Sequence, residues 1–120
     1  IWRGKLGAGV AEAAAMQAMT EAELGAMETM VRGEVAAARE KILAARERFL
    51  AIRDQVDPLA RQAVALALDS YIAGQQPLVS VLDALRAQGE VQMDAVRSEV
   101  RLALAWLELG RATGKVGVGR

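Results

Sequence analysis

Apolar residues recur every three or four positions along most of this chain. The pattern is clearest from Leu24, through Met27, Val31, Val35, Ala38, Ile42, Ala45, Phe49 and Ile52 to Val56, Leu59, Ala63 and Leu66. Such steps put one continuous apolar stripe on one side of a helix. Charged residues such as Glu28, Arg32, Arg39, Glu40, Arg46 and Glu47 fill the other faces. Upstream, residues 1–7 read as a glycine-punctuated lead-in, so the long helix is expected over about 8–73. Asp57-Pro58 interrupts this region as a local stop and restart, with Asp57 as N-cap and Pro58 at the first helical position. The stripe nevertheless passes through without losing phase. That favours one long helix kinked near Pro58 over two separate helices.

The strongest turn signal is Tyr71-Ile72-Ala73-Gly74-Gln75-Gln76-Pro77. Gly74 suits positive φ at a helix C-terminus, and Pro77 suits the opening of the next helix. A second stripe follows through Leu78, Leu82, Leu85, Gly89, Met93, Val96, Val100, Ala103 and Leu107. This predicts a second helix over about 77–110, ending at Gly110, with residues 111–120 as a tail. So short a connection makes the two helices antiparallel neighbours. Folding about Gly74 and Gln75 brings Leu107 near Ile42 and Val96 near Ile52 and Arg53. The second helix then covers only about residues 39–72. The stretch from Val10 to Ala38, roughly 40 Å of helix at 1.5 Å per residue, is expected to lack a partner within the chain and to drive self-association. The fold class is therefore all-α: a long antiparallel, coiled-coil-like hairpin.

Composition sharpens this picture. Of 120 residues, 53% are hydrophobic but only 3% aromatic, which suits small-residue helix packing better than a globular core. Acidic and basic residues balance at 15 each, so no basic excess points to nucleic acid. Without Cys or His, thiolate and imidazole catalysis and zinc sites of the usual kind are excluded. No apolar run reaches the ~18 residues of a membrane-spanning helix. The chain opens on Ile1 and shows no signal peptide, so it reads as a mature or truncated piece of something longer.

Three blocks resemble the C-terminal half of TolC-like outer-membrane efflux proteins, including their heavy-metal branch. Ile1-Trp2-Arg3-Gly4 is similar to the entry into that family's long periplasmic helix. Tyr71-Ile72-Ala73-Gly74 with Val81-Leu82-Asp83-Ala84-Leu85-Arg86 resembles its tip block. Leu104 to Gly114 resembles its helix ending. The resemblance implies a homotrimer in which this chain supplies helices of a periplasmic tunnel beneath an outer-membrane barrel. It also implies a periplasmic adaptor and an inner-membrane pump as partners, no cofactor and no chemical step. Localisation would be the outer membrane, with this segment in the periplasm.

Tyr71, Gly74, Gln75 and Gln76 then form a candidate adaptor-docking tip, although Gly74 is at least a C-cap glycine and Tyr71 could simply plug the hairpin end. Ser80 and Asp83 are candidate pore-lining residues. Three copies of Asp83 around a narrow opening would favour cations, whereas the plainer reading is a surface carboxylate favoured by a helix N-terminus. Some members carry an Arg and a second Asp where this chain has Gln76 and Ser80, so that charged lock is not carried over. Met16/Met19 and Met27/Met30 share helix faces, but gap-filling in Ala-rich packing outweighs a Cu(I) site. Glu40, Glu47 and Asp54 recur at seven-residue steps and read as a solvated flank rather than catalytic acids. Trp106 is expected at the hairpin edge. A coiled-coil interaction module, such as an adaptor hairpin or scaffold, is the alternative reading. The exported substrate is left open.

Overall fold

The computed structural model describes residues 2–114; Ile1 and residues 115–120 lie outside the described residues. Helix α1 spans Trp2–Ala51, a π-helical turn spans Ile52–Val56, α2 spans Asp57–Ile72 and α3 spans Leu78–Ala112. There is no strand among the described residues. The chain divides into two units between Ala37 and Ala38.

In the first unit every described residue from Trp2 to Glu34 is exposed. Leu6, Met16, Leu24 and Met30 are each about 60% exposed. Apolar side chains lie on several sides of this helix rather than on one, a pattern otherwise found where a helix is surrounded. The expected lead-in is itself helical from Trp2. Gly4, Gly7 and Gly9 each cost a helix about 1 kcal/mol relative to Ala, yet no Pro blocks its continuation.

The second unit holds the antiparallel hairpin. Lys41 Nζ donates to Glu108 Oε2 at 2.9 Å. Lys41 precedes Gly74 by as many residues as Glu108 follows Gln75, so this contact marks the register. Both side chains are more than half exposed, so the pair contributes at most ~1 kcal/mol. Ala38 and Ile42 on α1, and Val81, Ser98 and Ala105 on α3, are buried. Ser98, the most buried of them, satisfies its hydroxyl by donating to the Ala95 carbonyl at 2.7 Å.

The seam departs from the expected stripe in two places. On α1 it follows Ala38, Ile42, Ala45, Phe49 and Ile52 as anticipated, but on α2 it shifts to Asp57, Ala60, Val64 and Ala67. Val56, Leu59 and Leu66 face solvent, at 41, 63 and 68% exposure. The π-helical turn is the cause. Asp57 N–H donates to the carbonyl of Ile52, five residues back, which adds one residue to that turn and moves every later position round the axis. Pro58 has no N–H, and its ring crowds the carbonyl four residues earlier, so a wider turn just before it relieves both problems. The chain stays helical through Pro58: Val56 and Asp57 have right-handed helical dihedrals, and Asp57 is not an N-cap. The break in regularity therefore precedes the proline as a wide turn.

The second departure is on α3. The expected stripe through Leu78, Leu82, Leu85, Met93, Val96, Val100 and Leu107 is exposed, each residue between 47 and 57%. The seam instead runs through Val81, Ala84, Gln88, Val91, Ala95, Ser98, Leu102, Ala105, Leu109 and Ala112, all buried or half-buried. Its steps alternate strictly between three and four, the 3.5-residue period of a coiled coil. Small side chains at the seam let two backbones approach closely and cost little rotamer entropy. Ala and Ser make up half of these positions; Leu102 and Leu109 also sit on the seam, whereas Leu78, Leu82, Leu85, Met93 and Leu107 are left outside. Leu107 accordingly points away from α1 although it sits at the expected height. Helix α3 also runs past Gly110 to Ala112, and Gly114 takes φ +69 after it. The methionines do not fill gaps: Met16, Met19, Met27, Met30 and Met93 are all at least 55% exposed. Trp106 is 57% exposed.

Candidate functional site

The tip is built by a helix ending whose hydrogen bonds are complete. Gly74 takes φ +72. Its N–H donates to the Tyr71 carbonyl at 2.9 Å, and Gln75 N–H reaches back to the Ser70 carbonyl at 2.9 Å. These are the two bonds of a Schellman motif, with Gly74 in the position that needs left-handed backbone. Gln76 N–H shares the Ser70 carbonyl at 3.3 Å. Pro77 is extended, at φ −73 and ψ 158, and its carbonyl accepts the first bond of α3 from Ser80 N–H. No side chain caps that helix start.

The backbone therefore holds the turn by itself, and the tip side chains are free of structural duty. Tyr71 is 42% exposed, and Gly74, Gln75 and Gln76 are exposed. A Cβ placed on Gly74 would meet nothing within 4 Å. Tyr71, Gly74, Gln75 and Gln76 thus form one accessible patch at the end of the hairpin.

Ser80 and Asp83 stand three residues apart at the tip end of α3, on one side of the helix. Ser80 is half-buried beside the seam. Asp83 is exposed and makes a loose 3.6 Å ion pair with Arg86. Asp83, Glu90, Arg97 and Arg111 fall on one seven-residue series, and Asp94, Arg101 and Glu108 on the adjacent one. Most charge on α3 is thus gathered into one narrow sector that begins at Ser80 and Asp83. The rest of the circumference, apart from Arg86 and Glu99, is apolar or uncharged.

Two features escaped the sequence reading. Within the π-helical turn, Arg53 Nε donates to Asp54 Oδ1 at 2.7 Å, and its guanidinium lies 5.6 Å from the centre of the Phe49 ring. The hydrogen bond from Arg53 lowers the Asp54 carboxyl below its ordinary range, and the same contact raises the Arg53 guanidinium. Both side chains are more than half exposed, so this cluster marks the turn without anchoring it. Asp57 occupies a seam position and is held by Arg61 at 2.8 Å. A carboxylate that fits the covered face only after a one-residue shift was the available signal for the π-helical turn.

Among the described residues, no group of three or more acidic, His or Cys side chains could hold a metal ion. No described helix is long and apolar enough to cross a membrane. No protein-family model, curated protein or solved structure matches this chain.

Proposed function

We propose that this chain forms part of the wall and the tip of the periplasmic tunnel of a TolC-like outer-membrane efflux channel. The observation that carries the reading is the division of α3 into three kinds of surface: a small-residue seam against its own hairpin partner, a broad exposed apolar face, and one narrow charged sector. A helix standing free in water needs a polar outside, whereas a helix in a tunnel wall needs neighbours on its flanks and water on one side. The resemblance of the Tyr71–Arg86 block to the family's tip supports the same assignment.

In this reading the protein is a passive conduit, a homotrimer in its full length. The charged sector of α3 faces water, with Ser80 and Asp83 at the mouth of the pore. Tyr71, Gly74, Gln75 and Gln76 receive a periplasmic adaptor that connects to an inner-membrane pump.

The test uses Gly74 in the full-length channel protein. Gly74→Asn keeps a residue that tolerates positive φ, whereas Gly74→Trp adds bulk where the chain itself has open space. Gly74→Asn should support efflux and adaptor crosslinking. Gly74→Trp should lose both while the trimer still assembles. Normal crosslinking and efflux with Gly74→Trp would refute the docking assignment.

A further inference from the structure

Within the first unit, α1 carries an internal repeat. Glu12, Ala15, Met16 and Met19 recur eleven residues later as Glu23, Ala26, Met27 and Met30, and Glu34 opens a third step. Eleven residues are close to three turns, so each member of the repeat returns to the same side of the helix within about 20°. The glutamates and methionines of the repeat therefore form one stripe, advancing by three or four residues at a time. The aliphatic residues Leu6, Leu24, Val31 and Val35 centre on a line about 100° round the axis from it.

Packing within the chain does not account for these side chains. Met16, Met19, Met27 and Met30 are 64, 65, 60 and 59% exposed. Nor are the carboxylates of the stripe engaged elsewhere. Among the described residues, Glu12, Glu23 and Glu34 take part in no ion pair or side-chain hydrogen bond. The glutamates off the stripe differ: Gln17 donates to Glu21 at 3.4 Å, and Arg32 pairs with Glu28 at 2.6 Å. Arg32 is the only Lys or Arg of residues 6–37, and it lies across the axis from the stripe. The face thus offers thioethers and unpaired carboxylates with no cation among them.

We propose that this face of α1 binds a soft monovalent cation, Cu(I) or its analogue Ag(I), at each methionine pair, Met16/Met19 and Met27/Met30. Thioether sulfur is a soft donor that selects such ions. Residues three apart on a helix have Cβ atoms about 5–6 Å apart, and the unbranched, flexible methionine side chain lets both sulfurs converge on one ion. Glu12 and Glu23 stand one turn before and after the first pair, and Glu23 and Glu34 flank the second. A carboxylate there supplies a further donor and offsets the charge of the ion. The carboxylates alone make no metal site among the described residues, so the sulfurs are the deciding donors. The inference uses one face of one helix and does not rest on the tunnel assignment.

The test titrates the whole chain, carrying carbon-13 at its methionine methyl groups, with silver nitrate in chloride-free buffer. The methyl signals of Met16, Met19, Met27 and Met30 should shift, saturating at one ion for each pair. Met93 is the internal control: it is 55% exposed but has no second methionine within a turn, so its signal should stay. Met19→Leu should abolish the shift of Met16 and spare Met27 and Met30, and Met30→Leu should abolish that of Met27 and spare Met16 and Met19. Glu23→Gln should weaken binding at both pairs. Cu(I) under anaerobic reducing conditions should move the same four signals, whereas Zn(II) and Mg(II) should move none. Equal movement of Met93, a Met16 shift that survives Met19→Leu, or an equal response to Zn(II) would each overturn the proposal. So would silent methyl signals, which would leave the stripe as a packing surface for another protein segment.

Discussion

Ile42 and Leu66 fall on one continuous stripe when the sequence is read alone, but the one-residue insertion at Ile52–Val56 separates them. Ile42 is 6% exposed and Leu66 is 68% exposed. Ile42→Ala removes methyl and methylene groups from a buried site. A two-helix seam can partly collapse around the loss, so the lower part of the usual range applies, about 2–3 kcal/mol. For a domain of this size each kcal/mol moves the melting temperature by roughly 4–8 °C, so the expected fall is on the order of 10 °C or more. Leu66→Ala removes side-chain atoms that already meet water and should cost within about 0.5 kcal/mol. Urea and thermal unfolding followed by circular dichroism, at matched protein concentration, compare the two directly. Equal costs would refute the register shift and place Leu66 back on the seam.

Gly74→Ala should lower stability by about 1–2 kcal/mol in the same denaturation assay, since the residue must keep φ +72 without any steric clash to add to the cost. Deleting Gln55 should turn the π-helical turn into regular helix, so that Ile42 and Val64 cannot both face α3. Hydrogen exchange should then show lost protection in either residues 38–52 or residues 57–70, and undiminished protection in both would contradict a structural role for the insertion. The Asp54 carboxyl is lowered in the folded state by the hydrogen bond from Arg53. Its stabilising contribution is therefore complete above its unfolded value, about 3.9, and is lost as pH falls through the lower folded value. Asp54→Asn should remove that acid-side dependence, and an unchanged pH profile of the melting temperature would show the contact to be inert.

The helical class, the turn at Gly74 and the height at which the helices of the hairpin meet were legible because each depends on short-range rules. Three- and four-residue steps specify a helix. A glycine followed within three residues by proline specifies an end and a start. A short turn then sets Lys41 across from Glu108 by simple counting. The tip patch was legible for the same reason, since Tyr71, Gly74, Gln75 and Gln76 are placed by one local motif. Which side of each helix faces inward was not legible. Helix α3 carries two apolar series, one through Val81, Ala84 and Ser98 and the other through Leu82, Leu85 and Val96. Hydropathy alone favours the larger residues. Close approach of two backbones favours the smaller ones, and that preference exists only once a second helix is present.

Local chemistry therefore determined that this chain makes long helices, where it bends, and that the bend is exposed. Tertiary packing decided the rotation of each helix about its own axis; one extra residue between Ile52 and Val56 turns all of α2 by about 100° relative to residues 38–51. The insertion left Leu59 and Leu66 outside, and the close approach of α3 to its partner left Leu82, Leu85 and Val96 outside.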